Sequence, residues 1–163
     1  RIISAMKPVV DEIMIISNGN NYDYLGYKVY SDIFKNCGPM GGIHTALHYS
    51  RTDKILVVSC DMPFVSKNIL TAIINEANDC DIAVPEHSEG RIEPLCAIYS
   101  KSCFSKFVEL LKDGNWKMKD TLPYFKVNKI KFKKHELPEN YFLNINTPEE
   151  YQAIKYPKDE YSN

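Results

Sequence analysis

Apolar residues along this chain fall into two rhythms. Short runs rich in β-branched side chains read as buried strands, and stripes at three- and four-residue spacing read as helices. Ile13–Ile16, Tyr27–Tyr30, Ile55–Val58 and Asp81–Pro85 are of the first kind, and polar or turn-forming residues close each one. Glu93–Tyr99 reads as a longer strand. Val127–Phe132 reads as an edge strand with a lysine-rich face, and Phe142–Ile145 as a last short strand. Helical spacing appears at Ile2, Ile3, Met6, Val9 and Val10. It recurs at Ile43, Ala46, Leu47 and Ser50, at Ile69, Leu70, Ile73, Ile74 and Ala77, and at Phe104, Phe107, Val108 and Leu111. Residues 22–26 form a short helix or loop, and 116–122 a short second helix after Gly114 has ended the preceding one. Ser66 suits an N-cap. Thr147 with Glu150 forms a capping box, and Pro148 suits the first helical position. Asn36–Gly42 is expected as a tight loop feeding a helix N-terminus.

Strands and helices alternate, which predicts an α/β class with a mostly parallel sheet between helices. At 163 residues the chain suits one domain, here 1–155 with a frayed tail at 156–163. Ligands of such sheets bind outside the carboxyl ends of the strands. Those ends carry Asn18, Asp32, Asp61, and Asn144 with Asn146, and the Gly38–Gly42 loop forms one rim. Asp61 follows a buried run and precedes Met62-Pro63, where Pro63 stops the strand. An aspartate so placed is either a turn former or a holder of Mg²⁺ against a phosphate. Asp32 either shares that cation or bonds a ribose hydroxyl or base edge. The helix start after Gly38–Gly42 is either a plain one or an anion seat.

Composition narrows the function. A formal net charge of −1 gives no basic excess for nucleic acid and no single-sign field for a membrane surface. No stretch approaches the ~18 apolar residues of a membrane span. The five cysteines are odd in number and form no C-x-x-C, which points to reduced thiols and a cytoplasmic location. His44 and His48 stand at metal-binding spacing, without the further ligands a zinc site needs, and read better as packing or surface histidines. Arg91 and Glu93 reach substrate or pair with each other. The lysines of 126–134 form a solvated edge or attract an anion. No Walker A, G-x-S-x-G or Ser/His/Asp pattern supports covalent catalysis.

Gly38-Pro-Met-Gly-Gly42, Cys60-Asp-Met-Pro63, Glu93-Pro-Leu-Cys-Ala-Ile-Tyr99 and Asn144-Ile-Asn-Thr-Pro-Glu-Glu150 occur in one order. In that order and spacing the chain resembles, over nearly its whole length, the molybdenum cofactor guanylyltransferase (MobA-type) family. The resemblance implies a three-layer α/β/α Rossmann-like nucleotidyltransferase fold, mostly parallel with an antiparallel element. It implies transfer of GMP from GTP to molybdopterin or Mo-molybdopterin with release of pyrophosphate, and Mg²⁺ held by Asp61. Asn18, Asp32, Gly38 and Gly42 match positions near the guanine nucleotide. Asn144 and Asn146 match a motif facing the reacting phosphates or the pterin. Further partners would be other cofactor-biosynthesis proteins or molybdoenzyme chaperones. The family's L-A-G-G-x-S-x-R-M-G-x-x-K signature, whose amides and lysine hold the triphosphate, has no counterpart here, and residues 1–10 match the helix after it. The natural protein is therefore expected to carry that strand and loop ahead of Arg1, in keeping with only seven glycines in the chain. Competing expectations are a cytidylyl- or sugar-phosphate nucleotidyltransferase on the same fold, and a truncated, non-catalytic binding module.

Overall fold

The computed structural model describes residues 1–19, 22–87, 90–132 and 141–153. The chain runs α1 (Ile2–Met6), β1 (Met14–Ile16), β2 (Lys28–Tyr30), α2 (Gly38–Tyr49), β3 (Lys54–Val58) and α3 (Lys67–Asn75). It continues through β4 (Ile82–Glu86), β5 (Cys96–Ser100), α4 (Phe104–Lys112), α5 (Met118–Thr121), β6 (Val127–Lys131) and α6 (Pro148–Ala153). Single 3₁₀ turns cover Asp23–Leu25, Lys101–Cys103 and Leu122–Tyr124.

Successive strand residues point to opposite faces of a sheet, so period-two alternation assigns each side chain to a layer. Ile82, Val84, Ala97 and Tyr99 pack with Met40, Ile43 and Leu47 of α2 and Phe107 and Leu111 of α4. Ala83, Cys96 and Ile98 pack with Ala5 of α1 and Ile69, Leu70 and Ile73 of α3. The result is three layers, helix–sheet–helix. Strand order is β3-β5-β4-β6, with β5 antiparallel to both neighbours and β6 parallel to β4 at the edge.

β1 and β2 form a separate parallel pair. The single sheet expected from alternation is therefore divided. Between β1 and β3 runs a cleft of about 1130 Å³, lined by Met14–Ile16, by Ile55–Val58, and by residues of α1 and α2.

Several expected boundaries move. The first helix ends at Met6, because Pro8 cannot donate to a fourth-residue carbonyl. The strand expected from Glu93 begins at Cys96, since the Cys96 amide turns back to the Glu93 carbonyl (3.0 Å). Residues 142–145 join no ladder among the described residues. The Gly38–Gly42 loop is itself the first turn of α2. Ser66 holds the N-cap position of α3 but makes no side-chain cap bond, and its hydroxyl is buried without a partner. Gly114, at φ +76°, ends α4 as expected. The tail at 156–163, together with Lys133 and Lys134, lies outside the described residues. No helix among those described is long and apolar enough to cross a membrane.

Candidate active site

Parallel pairing of β1 with β2 brings their carboxyl ends side by side, and Asn18 and Asp32 follow directly. Asn18 Nδ2 donates to Asp32 Oδ2 (2.8 Å), and Asn18 Oδ1 accepts from the Asp32 amide (3.0 Å). Lys35 Nζ donates to the same Asn18 oxygen (3.3 Å). The carboxylate is thus fixed by a neighbour rather than left to rotate.

The first turn of α2 presses against this pair. A Cβ on Gly41 would stand 2.7 Å from the Phe34 carbonyl oxygen; one on Gly42 would stand 3.7 Å from Asp32 Oδ1. Thr45 ties the corner, donating to the Gly41 carbonyl and accepting from the Ile33 amide, both at 2.9 Å. Gly38, at φ +58°, starts the helix where a side chain would be strained.

Asp61 lies in the turn after β3, which Met62 and Val65 anchor in the core. Its Oδ1 is buried and meets no hydrogen-bond partner among the described residues. The Ile145 amide donates to the Asp61 carbonyl (2.8 Å), which sets Asn144 and Asn146 on either side of the contact. The capping box forms as expected: Glu150 Oε2 accepts from the amides of Asn146 (2.7 Å) and Thr147 (3.2 Å), and Thr147 Oγ1 accepts from the Glu150 amide (3.1 Å).

Among the described residues no three His, Cys, Asp or Glu side chains converge on one point. An orphaned carboxylate oxygen suits a hard cation that completes its shell with phosphate oxygens and water. Asp61 thus fits a divalent metal in the presence of nucleotide, and Asp32 is engaged by Asn18.

His44 is a packing residue. Its ring lies edge-on to Phe34 and stacked on Phe104, each at 5.0 Å, with neither nitrogen bonded. Burial, with a smaller contribution from His48, lowers its pKa below the ordinary 6.5. Burial also pushes the Cys96 thiol up to about 12, so this cysteine stays a protonated core residue. Glu93 pairs with His87 at 2.6 Å, a partner that sequence reasoning overlooked, as it did Lys35. The lysine strip is partly neutralised: Lys129 and Lys131 reach Glu86 at 3.2 and 3.7 Å.

Comparison with known proteins bears on the family and the fold. The family model described as "MobA-like NTP transferase domain" matches residues 1–122. A Clostridium perfringens (strain 13) protein named "Probable molybdenum cofactor guanylyltransferase" is 38% identical over 164 residues, covering 98% of this chain and 82% of the relative. A crystal structure from Aquifex aeolicus superposes with a TM-score of 0.80 at 22% identity, over 90% of this chain and 77% of that one. Molybdopterin-guanine dinucleotide biosynthesis protein A of Archaeoglobus fulgidus gives 0.72 at 24% identity, over 93% and 80%. Both structural likenesses show the Rossmann-like nucleotidyltransferase fold. The matched family model and the relative's identity over nearly the whole length establish that this chain belongs to the MobA-like NTP transferase family.

Proposed function

We propose that the protein transfers the GMP unit of GTP to molybdopterin, releasing pyrophosphate and forming a guanine dinucleotide cofactor. The observation that carries the reading is the buried Asp61 Oδ1, which has no hydrogen-bond partner among the described residues, with the Asn144–Asn146 segment tied to the Asp61 carbonyl through the Ile145 amide. Asn18 holds the Asp32 carboxylate, an acceptor matched to the N–H donors on guanine's edge. The glycines of α2 let backbone approach that carboxylate. In this reading Asn144 and Asn146 contact the reacting phosphates.

A terminal phosphate oxygen of the acceptor attacks the α-phosphorus of GTP, and the bond to the β-phosphate oxygen breaks as pyrophosphate leaves. The protein supplies no nucleophile; it positions two anions and offsets their repulsion. Mg²⁺, when held by Asp61, would supply charge neutralisation and Lewis acidity at the phosphates. The long cleft that Met14–Ile16 and Ile55–Val58 line also takes in Asn18, Asp32, Gly38 and Gly42, which leaves room for the nucleotide beside the Asn18–Asp32 pair.

The test is transfer of label from α-labelled GTP to molybdopterin. Asp61→Asn is expected to lower turnover at least about 100-fold while circular dichroism stays native. Wild-type turnover in that variant would refute the assignment.

A further inference from the structure

A second, polar cavity of about 330 Å³ opens beside Asn144, bounded by His87, Arg91, Glu93, Phe142 and Leu143. Its walls are firmly built. The Glu93 amide donates to Pro85 of β4 (3.0 Å), and the His87 amide to the Arg91 carbonyl (2.6 Å). The buried Tyr99 hydroxyl secures the Pro94 carbonyl (2.7 Å). His87 Nε2 and Glu93 Oε1 meet at 2.6 Å, with both side chains four-fifths buried, and the Phe142 ring stands edge-on to His87 at 5.1 Å. From Asn144 the chain runs directly to the Ile145 amide that grips Asp61.

The arrangement repeats the one at Asp32. In each a carboxylate is oriented by one neighbouring side chain: Asp32 by Asn18, Glu93 by His87. A carboxylate held in this way accepts paired N–H donors from a 2-amino-4-oxopyrimidine edge. Guanine has that edge, and so has a pterin. The cavity sits at the lower end of the size range of small-molecule pockets, which suits one fused ring system.

We propose that this second cavity is the ring pocket of the acceptor, with Glu93 taking the amino-and-amide edge of a pterin and Phe142 giving its ring an apolar wall. His87 is a positioning residue that fixes Glu93. The proposal rests on the guanylyl-transfer reading for the acceptor's identity. The geometry alone asks for a 2-amino-4-oxopyrimidine.

The probe is 6-hydroxymethylpterin, which is fluorescent. It is titrated into the protein with GTP and Mg²⁺ saturating, so that the guanine end is filled, and GTP affinity is measured separately. Saturable quenching is expected, about tenfold weaker in Glu93→Gln, with GTP affinity unchanged. His87→Phe should weaken pterin binding similarly, and His87→Gln, which can still donate to Glu93, should restore part of it. Phe142→Leu, checked for native near-ultraviolet dichroism, should weaken it as well. Asp32→Asn should weaken GTP and spare the pterin. Pterin binding indifferent to Glu93→Gln, or absent while GTP binds, overturns the proposal. Glu93-dependent pterin binding without GTP binding would uphold the pocket and refute the guanylyl-transfer reading.

Discussion

A carboxylate oxygen buried without a partner costs on the order of 1–3 kcal/mol, and Asp61 Oδ1 is in that position. Without metal or nucleotide, Asp61→Asn should therefore leave thermal stability unchanged or raise it, even as it abolishes turnover. A melting temperature several degrees lower would mean that Asp61 serves the fold instead. Gly41 offers the opposite case. A methyl there would meet the Phe34 carbonyl at 2.7 Å, and a backbone atom cannot swing aside as a side-chain tip can. Gly41→Ala is expected to cost about 1–3 kcal/mol in denaturant unfolding and to weaken GTP binding by displacing Asp32. His44 gives a pH effect with a definite sign. Its pKa is depressed in the folded state, so the unfolded chain binds the proton first as pH falls. Stability is then full above the ordinary 6.5 and declines below it, toward the lowered folded value. His44→Leu, which replaces two unbonded nitrogens between Phe34 and Phe104, should flatten that decline between about pH 7 and 5 in thermal melts. An unchanged slope would assign the acid sensitivity to another group.

At the scale of elements, local signals were legible wherever one residue type does one job. Gly114 ended α4 at positive φ, and Thr147 with Glu150 closed the capping box. The start of β5 was harder, because Glu93-Pro-Leu looks apolar enough for a strand while its hydrogen bonds form a turn. Residues 142–145 read as a strand from composition, yet among the described residues they join no ladder, and the Ile145 amide donates to the Asp61 carbonyl. That tether, with the capping box of α6, holds Asn144 and Asn146. Thr147→Ala should cost about 1 kcal/mol of local stability. Its functional readout is the KM for the acceptor, which should rise while GTP affinity holds; equal losses in both would place α6 outside the acceptor side.

The whole molecule is a three-layer fold whose layers follow from strand alternation, which is why sequence alone gave its class. The candidate site was legible in part for a related reason: β1, β2 and β3 each run into a polar residue at the carboxyl end, so Asn18, Asp32 and Asp61 could be named as candidates before any geometry. Lys35 and His87 could not. Their partners lie 17 and 6 residues away, and only folding brings them together. The divided sheet is a property of the same scale. Among the described residues β1 pairs only with β2 and β3 only with β5, so amide hydrogen exchange should be fast along the other edge of each. Slow exchange at both edges would show that the cleft between them closes.

The most direct test of the site as a whole is calorimetric titration of GTP, CTP and ATP, each with and without Mg²⁺, into wild type and Asp61→Asn. Selective GTP binding that depends on Mg²⁺ is expected, with the dependence lost in the variant. Equal binding of all three nucleotides, or Mg²⁺ dependence that survives the substitution, would refute Asp61 as the metal holder of a guanylyl-transfer site.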